Sequence, residues 1–92
     1  MMPPQGEWAI SKIENIKPGE TMVIDFGPWN SFSKAFLEKV AANQTGTFIF
    51  RYTYMGNIYE VTIKPGDITS LDFDWYGPAK MAEMFDTVIT KW

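Results

Sequence analysis

Thr47-Phe48-Ile49-Phe50-Arg51-Tyr52-Thr53-Tyr54-Met55 and Ile58-Tyr59-Glu60-Val61-Thr62-Ile63-Lys64 flank Gly56-Asn57. Both runs alternate apolar and polar residues, the pattern of a half-buried strand, and Gly-Asn between them is a two-residue hairpin signal of type II′ or I′. A two-residue loop at Gly56-Asn57 predicts that Met55 faces Ile58, Tyr54 faces Tyr59, Tyr52 faces Val61 and Phe50 faces Ile63. One face is then Phe48, Phe50, Tyr52, Tyr54, Tyr59, Val61 and Ile63. The other carries Arg51, Thr53, Glu60, Thr62 and Lys64, with Ile49, Met55 and Ile58 at its margins. A one-residue slip would invert every position, so the pattern specifies the faces.

Outward from the hairpin, the chain repeats itself at an offset of 47 residues. Ile16-Lys17-Pro18-Gly19-Glu20 returns as Ile63-Lys64-Pro65-Gly66-Asp67, and Asp25-Phe26 as Asp72-Phe73. Ile24 corresponds to Leu71 and Trp29 to Tyr76, and each copy precedes an amphipathic helical pattern. A period in this range marks a repeated supersecondary unit, and two copies in 92 residues read as one duplicated domain.

The flanking segments are assigned on that frame. Trp8, Ile10, Ile13 and Ile16 predict an irregular strand running into the first Pro-Gly turn. Thr21 to Phe26 is a strand with Met22, Ile24 and Phe26 on one face. Asn30 or Ser31 caps a helix in which Phe32, Ala35, Phe36 and Val40 recur at helical spacing, and Asn43 to Gly46 ends it. Asp67 to Asp74 is the counterpart of the first strand. Gly77-Pro78 opens a last helix whose apolar face is Met81, Met84, Phe85, Val88 and Trp92.

The expected fold is α+β: a mainly antiparallel sheet with two helices on one face, arranged as a ββα-ββα pseudo-duplication. Residues 1–6 read as a disordered lead-in and 7–92 as a single domain, with internal halves of about 7–46 and 47–92.

Composition restricts function more than it assigns it. The chain has 8 basic and 11 acidic residues and a net charge of −3. Arg51 is its one arginine, and no basic stripe exists to bind nucleic acid. There is no cysteine and no histidine, which removes disulfides, thiol nucleophiles, His-based triads and the usual zinc ligand sets. No run approaches the ~20 apolar residues of a membrane-spanning helix, so no membrane insertion is expected. The opening residues have no basic region followed by an apolar stretch, so no signal peptide is expected either.

The carboxylates Asp25, Asp72 and Asp74 invite a catalytic reading, since paired acids run proton transfer when burial separates their pKa values. An Asp just before a turn and a helix more often accepts backbone amide bonds, and no nucleophile–base pair can be assembled. The expectation is no enzyme activity, no catalytic residue and no cofactor. Asp72 and Asp74, with Asp67 near, offer oxygens to a calcium ion, but the EF-hand loop pattern is absent and solvated turn acids are the preferred reading, so no metal is expected.

Aromatics make up 16% of the chain, more than its core requires. Trp29 and Asn30 sit in Gly-Pro-Trp-Asn before the first helix, and Trp75 and Tyr76 in Asp-Trp-Tyr-Gly-Pro before the second. Tyr54 and Tyr59 pair at the open end of the hairpin. Flat rings beside Asn and Asp suit sugars, whose axial C–H groups pack on a ring face while their hydroxyls meet polar neighbours. The competing assignment is that Trp29 and Trp75 plug the two ends of the core. Trp29, Asn30, Trp75, Tyr76, Tyr54 and Tyr59 are the candidate ligand-binding residues.

From Ile10 to about Ile68 the order of features resembles small modules of secreted and cell-surface proteins of anaerobic, gut-type Gram-positive bacteria. The features are the Pro-Gly turn, the strand Thr21-Met22-Val23-Ile24-Asp25, a helix ending near Val40-Ala41, and an aromatic hairpin closing on Val61-Thr62-Ile63. The resemblance implies an extracellular, non-catalytic module of a larger protein, and no site residue is carried over from it. The function expected is polysaccharide binding through loop aromatics, with localisation outside the cell or at its surface. A chain that is the complete gene product would instead be cytoplasmic. The alternative class is a structural or protein-interaction module whose aromatics build only the core and a partner interface.

Overall fold

The structure, a computed structural model, describes residues 5–92. The first four residues of the expected lead-in lie outside the described residues, and Gln5 and Gly6 begin a helix. The elements run α1 (Gln5–Glu14), β1 (Thr21–Gly27), β2 (Phe32–Ser33), α2 (Lys34–Ala42), β3 (Thr47–Tyr54), β4 (Asn57–Ile63), β5 (Trp75–Tyr76), α3 (Pro78–Met84) and β6 (Asp86–Lys91). The fold is α+β. A four-stranded sheet has the order β1-β3-β4-β6, and β2 and β5 form a separate two-stranded ladder. In the larger sheet β1 runs parallel to β3, and the other two pairings are antiparallel.

The hairpin's faces are as expected: Phe48, Phe50, Tyr52, Val61 and Ile63 are buried. Its register is not. The turn residues are Met55 and Gly56, both at positive φ (50° and 77°), as a type I′ turn demands. Tyr54 therefore faces Asn57, Tyr52 faces Tyr59 and Phe50 faces Val61. The observed register places Arg51 opposite Glu60, where the two side chains form an ion pair at 2.7 Å, and stacks the rings of Tyr52 and Tyr59 at 5.2 Å and 7°. Cross-strand pairs of this kind decide between registers that bury the same residues.

The segment expected as an irregular strand from Glu7 to Ile16 is helical as far as Glu14, within α1. Ala9 and Ile13, four residues apart on one helical face, are buried, with Ile16 buried just beyond the helix end, and the small side chain of Ala9 adds little to the hydrophobic pattern. The helix after β2 is capped by Ser33, whose Oγ accepts from the Phe36 N–H at 3.2 Å, and not by Asn30 or Ser31. Phe32 and Ser33 are instead claimed by the ladder with Tyr76 and Trp75. Between Asp67 and Asp74 there is no strand. The last helix stops at Met84, because Thr87-Val88-Ile89-Thr90 is a β-branched run that favours the extended chain of β6.

The two Pro-Gly turns share one geometry. In Lys17-Pro18-Gly19-Glu20 and Lys64-Pro65-Gly66-Asp67 the fourth residue's N–H donates to the first residue's carbonyl at 3.0 Å. In both, the terminal carboxylate accepts the lysine N–H at 2.9 Å, and glycine takes φ of 79° or 87°, the type II geometry. Beyond the turns the paths part: α1 precedes one and β4 the other, and β1 follows one and irregular chain the other.

One buried cluster joins Ala9 and Ile13 of α1, Phe36, Leu37 and Val40 of α2, and Met81 of α3 to the inward side chains of the sheet. At its centre, Phe26, Phe32, Phe36 and Phe50, from β1, β2, α2 and β3, form a closed quartet. All six ring pairs lie between 5.0 and 6.0 Å. The first Pro-Gly turn docks on the chain entering β3. Thr47 N–H donates to Glu20 O at 2.8 Å and Gly19 N–H to Thr45 O at 3.3 Å, and a Cβ on Gly46 would collide with the Glu20 carbonyl oxygen and the Ile16 side chain.

Phe50→Ala should therefore destabilise the fold by about 3–5 kcal/mol, and Gly46→Ala by about 1–3 kcal/mol through overpacking. Urea titrations of both variants check this. A cost below about 1 kcal/mol for Phe50→Ala would remove the quartet from the centre of the core.

Candidate functional site

The candidate site is built on the short ladder between β2 and β5. Phe32 is fixed in the quartet, and it faces Tyr76 while Ser33 faces Trp75. Lys34 N–H donates to Asp74 O at 2.9 Å, which extends the junction. Successive strand residues point to opposite sides: Tyr76 is buried, and Trp75 is 64% exposed. The Tyr76 hydroxyl accepts the Phe73 N–H at 2.8 Å, so the residue that anchors β5 also folds the preceding turn back on itself.

This arrangement leaves Phe73 on the surface, 52% exposed. Its ring packs edge-on against Tyr76 at 6.1 Å, and the Lys80 ammonium of α3 lies 4.7 Å from its centroid, within cation–π range. Ser70, Asp72, Phe73, Tyr76, Lys80 and Met84 line a shallow recess of about 160 Å³. A hydroxyl, a carboxylate and an ammonium thus surround an aromatic wall, and Lys80 also reaches Glu83 at 3.3 Å. The recess can donate to and accept from a polyhydroxylated ligand.

The other candidate residues are placed as follows. Trp29 is half-buried and packs against the core. Asn30 is half-buried, and its side-chain amide donates to Pro28 O at 3.3 Å. Tyr54 is exposed and meets the half-buried Tyr59 edge-on at 6.4 Å. The assignment of the two tryptophans as core plugs fits Trp29 and not Trp75, and Phe26 is buried while its repeat counterpart Phe73 is exposed. Ser70, Phe73, Lys80 and Met84 were not among the candidate site residues read from the sequence. Phe73 was hidden by the repeat, which aligned it with a core residue.

Asp25 lies in β1 on the strand side opposite the buried Ile24 and Phe26, and its Oδ1 accepts the Gly27 N–H at 2.8 Å. Asp72 lines the recess. Among the described residues no three His, Cys, Asp or Glu side chains gather to hold a metal ion, and no helix is long and apolar enough to cross a membrane. No protein-family model, curated protein or solved structure matches the chain.

Beneath the hairpin's tyrosines, the buried Tyr52 hydroxyl has no hydrogen-bond partner among the described residues. Burial, and secondarily the neighbouring Tyr59, push its pKa well above the ordinary tyrosine value. A proton held more tightly in the folded state stabilises the fold below the unfolded tyrosine pKa near 10, and that contribution is lost as pH rises beyond it. Tyr52→Phe should leave the fold intact, raise stability at neutral pH by roughly 1 kcal/mol by removing an unpaired buried hydroxyl, and flatten the alkaline fall. Thermal melts between pH 7 and 11 would show it. A Tyr52→Phe variant less stable than its parent at pH 7 would mean that the hydroxyl has a partner.

Proposed function

We propose that this chain is a non-catalytic binding module of a secreted or surface protein, and that it takes a polysaccharide chain at Trp75 and the adjoining recess. The observation that carries the reading is the outward placement of Trp75 by a strand whose next residue is locked in the core. A large ring exposed on a rigid support, two residues from the exposed Phe73, offers flat apolar area at little conformational cost. Around Phe73, Ser70, Asp72 and Lys80 supply donors and acceptors for ring hydroxyls in the recess. Tyr54 and Tyr59 form a second, smaller aromatic surface. Trp29 and Asn30 serve the reading less well, because both are partly covered. Tyr76 acts as the anchor that positions Trp75. The matching Pro-Gly turns are read as the remnant of a duplicated unit whose two copies now differ on both sides of the turn.

Affinity electrophoresis against cellulose derivatives, xylan, mannan, pectin and starch tests the proposal. Binding is expected in the range of about 1 mM to 1 μM, with little dependence on salt because stacking involves no ion pair. Trp75→Ala should weaken it by about fivefold or more with the fold unchanged, the loss of roughly 1 kcal/mol of ring contact. Trp29→Ala should instead lower stability and leave the affinity of the folded protein near its parent's. Retardation by no glycan, or retardation insensitive to Trp75→Ala, would overturn the assignment.

A further inference from the structure

Asp72 is an exposed carboxylate in the wall of the recess with no opposing charge of its own. Among the described residues the ion pairs are Arg51–Glu60 and Lys80–Glu83, and Asp72 is in neither. The one cation in the lining is Lys80, and it is already engaged. Its ammonium lies 3.3 Å from a Glu83 carboxylate oxygen and 4.7 Å from the Phe73 ring centroid, and its side chain is only 32% exposed. Lys34 meets Asp74 through its backbone N–H but lines no part of the recess. The wider charge runs the same way. Residues 67–86, which supply all of the lining and Trp75, hold Asp67, Asp72, Asp74, Glu83 and Asp86 against the single base Lys80, a net charge of −4. The rest of the chain is +1, so the protein's negative charge is concentrated on the segment that builds the site.

We propose that Asp72 sets the ligand class of the recess, which takes neutral polysaccharide and refuses chains that carry uronate or other carboxyl groups. The inference rests on the glycan reading of this site and narrows it. An ionised carboxylate only accepts hydrogen bonds, and its bond to a hydroxyl is roughly twice as strong as one between neutral groups. Asp72 therefore holds a sugar hydroxyl that donates to it. A carboxyl-bearing sugar in the same place sets a second anion beside the first. Charges so close are screened little at physiological ionic strength, where the Debye length is about 8 Å. A neighbouring cation would have to offset the repulsion, and Lys80 can do so only by leaving Glu83 and the face of Phe73.

The test uses chains that share a backbone and differ in charge. The pairs are hydroxyethylcellulose and carboxymethylcellulose, arabinoxylan and glucuronoxylan, mannan and polymannuronate, methyl-esterified pectin and polygalacturonate, and starch and carboxymethyl starch. In titrations of the full chain followed by tryptophan fluorescence, the neutral member of the pair that binds should be tighter than its anionic mate by about tenfold or more. The gap should narrow as salt is raised toward about 1 M, where the Debye length falls to about 3 Å. Asp72→Asn should weaken the neutral chain by roughly threefold, strengthen the anionic one and close most of the gap, with an unchanged circular dichroism spectrum. Asp25→Asn removes the same charge from the strand side that faces away from the core, and should leave the gap as it was. An anionic chain bound as tightly as its neutral mate and lost on Trp75→Ala would overturn this inference while the glycan reading stands. So would a gap indifferent to Asp72→Asn, or one that Asp25→Asn closes equally. Binding of no chain in either form would overturn both.

Discussion

The closed contact of Phe26, Phe32, Phe36 and Phe50 is the constraint on which the other elements depend. Each ring comes from a different element, and every ring touches the other three. β1 can lie parallel to β3 only if α2 crosses back over the sheet, because parallel neighbours need a long connection. Phe36 on α2 and Phe26 and Phe50 on the two strands are the side chains that close that crossing. Phe32 extends the same cluster into the short ladder with β5. In a domain of 92 residues, where the core is necessarily small, four aromatic rings supply a large share of the apolar area that folding hides.

The exposed site is an extension of that interior. Tyr76 is buried against the ladder and holds the turn before it through the Phe73 amide, so the chain from 73 to 76 has one ring inward and two outward. Binding surfaces gain affinity when their rings are ordered before the ligand arrives, since the entropy of ordering is already spent. Here the ordering comes from Phe32 and Tyr76, whose rings are fixed in the core.

How much of this was legible follows from what kind of information each feature needs. The hairpin faces were readable because alternation is a local property with period two. Its register was not, since shifting Tyr52 from Val61 to Tyr59 keeps every residue on its face and is decided by Arg51 meeting Glu60 across the strands. α1 was missed because a buried alanine at position 9 adds little to a hydrophobic pattern while completing a helical face. The Pro-Gly turns were legible because proline and glycine at fixed places dictate a turn. The strand expected after the first turn is β1, and the one expected after the second is absent, since only Thr21 to Gly27 finds a neighbour, β3, to pair with. Of the candidate site, Trp75 was recognised by its loop context. The recess was not, since it brings Ser70 together with Lys80 and Met84 of α3, a proximity set by how the chain packs.

The Arg51–Glu60 pair shows how a weak contact can carry structural weight. Both side chains are well exposed, so the pair contributes about 0–1 kcal/mol to stability. Yet two registers that bury the same rings differ in free energy only by such terms, and a difference of about 1 kcal/mol between them already populates one over the other roughly fivefold. The stacked Tyr52–Tyr59 pair acts in the same direction and adds roughly 0.5–1.5 kcal/mol.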